Sequence, residues 1–433
     1  MHSFHYYNQR LHCEETDLTT LAEQHGTPLY VYSKATITDH FERLDQGLED
    51  LDHLICYAVK ANSNLAVLNV LAKRGSGFDI VSAGELFRVI RAGGDPGRCT
   101  FAGVGKTESE ITYALEQGIY SFNVESEAEL HYINEIAGNL GKIAPVALRV
   151  NPNVDALTHK YISTGKSENK FGIDFDQIEK AYATASQALP NIRLLGLQMH
   201  IGSQLTSVGP FVEAVSKVAP LAAKLKQQHG IEFFSVGGGI GIIYQGALDS
   251  GNPDWWESKD DMSTPLTVAA YAAAIVPALK DLGLKIIVEP GRYMVGNAGT
   301  LLTRVLYDKQ GTAKTFKVVD AGMNDLIRPA LYEGHHDIIP LQEAPGDAAT
   351  EKVDIVGPIC ETGDFFCQDR VLPVLEKGDL LAVLSSGAYG FVMASNYNSR
   401  PLPAEILVDA DRAEIVRERQ TLEDLISLEC IPD

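Results

Sequence analysis

From about residue 28, short β-branched or apolar runs alternate with longer stretches whose apolar residues recur at helical spacing, as in Leu65, Leu68 and Leu71 or Leu86, Val89 and Ile90. With 29–32 set aside as a lead-in segment, strand-like runs follow at 54–59, 78–81, 99–102, 120–124, 146–150, 194–199, 233–236 and 285–288. Helix starts are marked between them, because Ser82-Ala83-Gly84-Glu85 and Thr107-Glu108-Ser109-Glu110 both fit a capping box. Eight such units in about 235 residues match the count and length of a (β/α)8 barrel. An open doubly wound sheet competes, but it rarely runs to eight consecutive units without a break.

The residues that follow these runs carry polar chemistry: Lys60, Ser82, Gly103, Glu125, Asn151, His200, Gly237 and Glu289. Singly each is an ordinary loop residue. Together they would ring the mouth at the C-terminal ends of the strands, where barrel enzymes build their sites. Lys60 closes the first run, and among apolar neighbours its amine would become a usable nucleophile. A surface lysine at a strand end is the plainer reading of that stretch alone. Gly237-Gly238-Gly239-Ile240-Gly241 follows the seventh run and Glu289-Pro290-Gly291-Arg292 the eighth. Glycines let backbone amides approach an anion, and those two loops of a barrel commonly hold phosphate.

An amine, a phosphate cradle and an inward carboxylate together suggest pyridoxal 5'-phosphate. Lys60 would bind its aldehyde, Glu289 would sit beside the ring nitrogen, and His200 would lie against the ring. A sugar-phosphate aldolase would share the lysine and the phosphate site, without needing the carboxylate or a second domain.

After Gly291 the texture changes. The runs 300–307, 316–319, 353–356, 380–384, 405–408 and 414–416 are short, β-rich and separated by Gly, Pro and Asp. The expected architecture is α/β plus all-β: a barrel over 30–292, and a β-sandwich or β-barrel domain over 293–433 that residues 1–29 complete. Two stretches, 245–264 and 344–350, read as mobile surface loops. With 433 residues, 45% of them hydrophobic, the chain can bury two full cores. A net charge of −21 disfavours nucleic acid or an anionic membrane as partner. No apolar run reaches the length of a membrane helix, no signal peptide is visible, and the six scattered cysteines lack zinc spacing. The expectation is a cytoplasmic protein with reduced thiols and no metal. His2, His5, His12 and Cys13 are metal-capable, but nothing downstream completes a site.

Tyr57-Ala58-Val59-Lys60-Ala61-Asn62, Phe78-Asp79-Ile80-Val81-Ser82-Ala83-Gly84-Glu85-Leu86, His200-Ile201-Gly202-Ser203-Gln204, the glycine loop and Glu289-Pro290-Gly291-Arg292 carry a resemblance over nearly the whole chain. The sequence resembles the PLP-dependent ornithine, arginine and diaminopimelate decarboxylases and, more distantly, alanine racemase. Met323-Asn324-Asp325-Leu326-Ile327-Arg328-Pro329-Ala330-Leu331-Tyr332 and Gly357-Pro358-Ile359-Cys360-Glu361-Thr362-Gly363-Asp364 are similar to the diaminopimelate branch.

The resemblance implies decarboxylation of meso-diaminopimelate to L-lysine, and a head-to-tail homodimer that shares active sites. It assigns the cofactor to Lys60, Asp79, His200, Ser203, Gly237, Gly238, Gly239, Gly241, Glu289, Pro290, Gly291, Arg292 and Tyr389. It assigns the substrate's distal carboxylate to Arg292, Arg328 and Tyr332, and its distal ammonium to Glu361 of the partner. Cys360, also in trans, would be the proton donor, and Tyr389 would reach cofactor phosphate and substrate. Decarboxylation of another basic amino acid is the first alternative, and it needs no distal carboxylate site. A catalytically inactive regulatory homologue is the second. The 245–264 loop is longer than the resemblance leads one to expect.

Overall fold

The computed structural model describes residues 2–155, 170–258 and 266–432. The chain divides into two compact units, one of Thr38–Ile242 and Pro265–Met294, the other of Met1–Ile37, Ile243–Thr264 and Val295–Asp433.

The first unit is a closed parallel barrel. Its strands are β1 (His53–Ala58), β2 (Gly77–Ile80), β3 (Cys99–Phe101), β4 (Ser121–Val124), β5 (Ala144–Asn151), β6 (Ile192–Gln198), β7 (Phe233–Ser235) and β8 (Lys285–Val288). Each pairs with the next, and β8 returns to β1 through Ile286↔His53 and Val288↔Ile55, so no edge is left open. All eight lie within two residues of the runs expected from sequence. A two-residue strand, Ile173–Asp174, adds to the end of β5. Leu54, Cys56, Ala147, Leu195, Phe233 and Ile287 fill the interior from five strands, so the barrel is a packed core. One of the two expected capping boxes closes in full; at the other, the Glu85 carboxylate accepts from the Val81 amide instead. Ser82 accepts from the Glu85 amide, and Thr107 and Glu110 cap each other reciprocally.

The second unit is β-sheet. Gly299–Gln310 is its axis and changes partners halfway. Its first half lies between Leu29–Ser33 and Leu380–Val383; its second half pairs with Thr315–Val319, with a register shift between Val305 and Tyr307 inside that pairing. A strand that serves two sheets this way turns a corner at its bulge. The stretch 29–32 is therefore a strand of this sheet. It pairs antiparallel with Gly299–Leu302 and parallel with Ala404–Val408, which moves the division of the chain from the expected residue 30 to after Ile37. Phe365–Pro373 and Ile338–Pro340 are strands that the sequence pattern did not mark.

The N-terminal meander, Phe4–Tyr7, Arg10–Cys13 and Thr16–Asp17, contributes Phe4, Leu11 and Cys13 to the core that also holds Leu302, Ala382 and Ile406. Its His5 and His12 are register partners with stacked rings. The long 245–264 segment is, over its described part, anchored. Ala247 is buried in that same core, its amide donates to Asp337 (2.7 Å), its carbonyl meets His2 Nε2 (2.6 Å), and Trp256 Nε1 donates to the Ser250 carbonyl (2.9 Å). Residues 259–264 lie outside the described residues. Among the described residues, no cluster of His, Cys, Asp and Glu could hold a metal ion, and no helix is long and apolar enough to cross a membrane.

Candidate active site

Strand register assembles the barrel mouth. β1 ends at Ala58, a short 3₁₀ turn over Val59–Ala61 follows, and Lys60 leaves the barrel core on that turn. Ala58 is paired with Asp79 at the end of β2, and Lys60 Nζ meets Asp79 Oδ2 at 2.6 Å. Lys60 is thus not wrapped in apolar side chains as expected. Its side chain is 39% exposed, while that of Asp79 is 2% exposed. Because the turn carries it out of the core, a buried carboxylate takes the place of apolar walls. Glu85, which also accepts from the Val81 amide (2.7 Å), is pushed up to about 7 by burial, against the opposing pull of Lys60.

Glu289 follows β8 at the mouth and is buried. Asn123 Nδ2 (3.2 Å), Gln198 Nε2 (2.9 Å) and Ser235 Oγ (2.8 Å) donate to its carboxylate from the ends of β4, β6 and β7. Burial, with the Asp79 charge adding to it, pushes Glu289 up to about 7 despite the Ser235 and Gln198 hydrogen bonds. A group of this kind is poised for a cation, which would favour its ionised form.

His200 is held neutral. Burial, together with the Arg149 and Lys60 charges, puts it well below the usual histidine range. The Gly238 amide donates to its Nδ1 at 3.1 Å, so its proton sits on Nε2. Arg149 is itself fixed by Glu125, at 2.9 and 3.2 Å, and Glu125 accepts from the Gly103 and Gly172 amides. Beneath them Lys106 is buried against Glu129 (2.6 Å), whose other oxygen accepts from the Glu125 amide (2.7 Å). Sequence reasoning missed Asn123, Gln198, Ser235, Arg149 and Lys106. For the first four the available signal is a polar residue close to the C-terminal end of a buried strand.

The glycine loop is built by close backbone approach. A Cβ on Gly237 (φ +73°) would stand 3.0 Å from His200 Nδ1, and one on Gly239 (φ +111°) 2.5 Å from the Gly202 carbonyl oxygen. On Gly238 it would stand 2.1 Å from the Glu289 carbonyl oxygen, and on Gly241 2.7 Å from that of Leu205. The loops after β6, β7 and β8 therefore pack backbone on backbone, with Leu205 and Gly239 hydrogen-bonded (2.9 Å) and the Ala58 amide donating to the Pro290 carbonyl (2.9 Å). Gly291 lies close against Ala58 and Ala61. Arg292 is buried and donates to Ser203 Oγ (3.2 Å). A Gly238→Ala change should cost about 1–3 kcal/mol in stability and displace Glu289. Urea unfolding together with a cofactor titration would check both effects.

In the β unit, Arg328 opens the short helix Arg328–Tyr332 and is buried; Tyr332 is half-buried. Cys360 and Glu361 are exposed, on a loop held by Asp364, which accepts from the Met323 and Ile359 amides (2.6 Å each). The Cys360 amide donates to Asn398 Oδ1 (2.8 Å), and Tyr397 O–H reaches Glu361 (3.5 Å). Tyr389 holds a positive φ of 56°, an uncommon conformation for a residue with a side chain.

The barrel mouth fits pyridoxal phosphate. Lys60 offers an amine to the aldehyde, Glu289 a raised carboxyl to a cationic ring nitrogen, and the loops after β6 to β8 a side-chain-free approach for the phosphate.

Residues 34–296 match the family described as pyridoxal-dependent decarboxylase, pyridoxal binding domain. The chain is 50% identical to the diaminopimelate decarboxylase of Vibrio cholerae, over 98% of this chain and 97% of that one. It is 49% identical to that of Pseudomonas aeruginosa, over 100% and 99%. The crystal structure of diaminopimelate decarboxylase from Helicobacter pylori complexed with L-lysine superposes with a TM-score of 0.87, at 42% identity, covering 95% of this chain and 99% of that one. Matched by the family model over 34–296 and by relatives from end to end, the chain belongs to the diaminopimelate decarboxylase family of pyridoxal-dependent decarboxylases.

Proposed function

We propose that the protein removes CO2 from meso-diaminopimelate to give L-lysine, with pyridoxal phosphate as cofactor. The observation that carries this reading is the Lys60–Asp79 pair set at the same mouth as Glu289, whose carboxylate is held by donors from β4, β6 and β7. Bound pyridoxal phosphate supplies an electron sink for the pair released as CO2 departs.

Lys60 Nζ would hold the cofactor, and Asp79, 2.6 Å from it, would orient the lysine amine. Glu289 would stand beside the ring nitrogen and favour its protonated form. His200, neutral and fixed by the Gly238 amide, would lie against the ring. Ser203, Gly237, Gly238, Gly239, Gly241, Pro290, Gly291 and Arg292 surround the phosphate end, with Tyr389 reaching it too.

Arg292, Arg328 and Tyr332 read the distal carboxylate, for which an arginine's planar fork is suited. Cys360 returns a proton to the α-carbon, and Glu361 takes the distal ammonium. We further propose that the protein works as a cytoplasmic homodimer in which Cys360 and Glu361 act on the partner's substrate. Their exposure on the single chain supports this.

Parallel CO2-release assays on diaminopimelate, lysine, ornithine and arginine test the substrate. Diaminopimelate should exceed the others by at least about 10²-fold in kcat/KM, because a substrate without the distal carboxylate forgoes its charge-assisted hydrogen bonds to the arginines. Equal turnover of ornithine would reject the assignment.

A further inference from the structure

Arg328 does not hold its orientation alone. Its Nη1 lies 2.7 Å from Nε2 of His336, a fully buried histidine whose Nδ1 is 2.8 Å from the Leu384 carbonyl oxygen. An arginine can only donate, so His336 Nε2 accepts. The ring proton is then on Nδ1 and is donated to Leu384. Leu384 in turn donates its amide to the Asp337 carbonyl (2.9 Å), beside the Ile338↔Val383 strand pair, so the imidazole is fixed to the sheet through its far side. The guanidinium carbon of Arg328 sits 4.5 Å from the ring centroid of Tyr244, and that ring meets His336 edge-on at 5.1 Å and 78°. Stacking on one face and a neutral acceptor at one nitrogen restrict both the tilt and the rotation of the fork.

We propose that His336 and Tyr244 are positioning residues for distal-carboxylate recognition: by fixing the Arg328 fork they set the preference for a substrate that ends in a carboxylate. This rests on the reading of Arg328 as the residue that binds that carboxylate. It also gives the described part of the long segment, 245–258, a purpose, since Tyr244 stands at its threshold and the buried Ala247 anchors it. A neutral histidine suits the task. It orients the cation without competing with the substrate for the arginine's charge, as a carboxylate would.

The test compares equilibrium binding of L-lysine with that of pentane-1,5-diamine, which is lysine without its carboxylate, to the holoenzyme and its variants. Cofactor absorbance serves as the check on folding. His336→Leu should weaken lysine about tenfold and raise KM for diaminopimelate by a similar factor, leaving diamine binding and kcat nearly unchanged. His336→Gln, which can accept from Arg328 and donate to Leu384, should restore the lysine-to-diamine ratio. Tyr244→Leu should lower it, and Tyr244→Phe should not. If Arg328→Met lowers the ratio while His336→Leu and Tyr244→Leu leave it at the wild-type value, the positioning role is overturned and the reading of Arg328 survives. If Arg328→Met itself leaves the ratio unchanged, both fall. Should His336→Leu lose the cofactor absorbance, the Tyr244→Leu ratio decides.

Discussion

Replacing Lys60 by alanine is expected to lower decarboxylation on the order of 10⁴-fold. The amine stands on a 3₁₀ turn at the end of β1, 2.6 Å from a buried carboxylate. The change also strips Asp79 of the cation it is paired with, so part of any loss could come from stability. Lys60→Arg separates the two effects. It keeps a positive charge for Asp79 but cannot form the covalent link, so the unfolding midpoint should recover while turnover does not. Steady-state CO2 release and thermal unfolding of both variants check this.

Glu289→Gln should lower kcat by roughly 10²–10³-fold with little change in KM, the usual size of effect when one preorganised electrostatic partner is removed. The carboxylate accepts from Asn123, Gln198 and Ser235. An amide can accept on one oxygen only and turns an NH2 toward one of those donors. It also removes the negative charge proposed to favour protonation of the ring nitrogen. A kcat within about threefold of wild type would mean that Glu289 only packs the mouth. Cofactor absorbance, retained in the variant, distinguishes lost chemistry from lost binding.

The barrel was legible because parallel strands buried on both faces read as short apolar runs, and each polar residue that follows such a run falls at one mouth. Lys60, His200 and Glu289 could be named from that alone. Their supports could not. Asn123, Gln198 and Ser235 converge on Glu289 from three strands only once the barrel closes, and Lys106, after β3, meets Glu129 in the helix Glu127–Asn139 of the next unit. The surroundings of Lys60 were misread for a related reason. A strand that ends one residue earlier puts the lysine on a turn rather than in a wall.

In the β unit, strand 29–33 looked like a lead-in because its parallel partner, Ala404–Val408, lies hundreds of residues away. Phe365–Pro373 escaped because its burial is broken by Gln368, Asp369 and Arg370, with Asp369 at φ 52°. The Tyr244–Arg328–His336 cluster joins residues more than eighty positions apart, and only the coordinates reveal it.

Lys60 is the residue on which the proposed chemistry depends. Reduction of the holoenzyme with borohydride, followed by peptide mapping, fixes the cofactor to whichever amine holds it. The prediction is one pyridoxyl group per chain, on the peptide that contains Lys60, and none when diaminopimelate has first displaced it. Label on any other lysine, or a yellow protein that reduction leaves unlabelled, would contradict it.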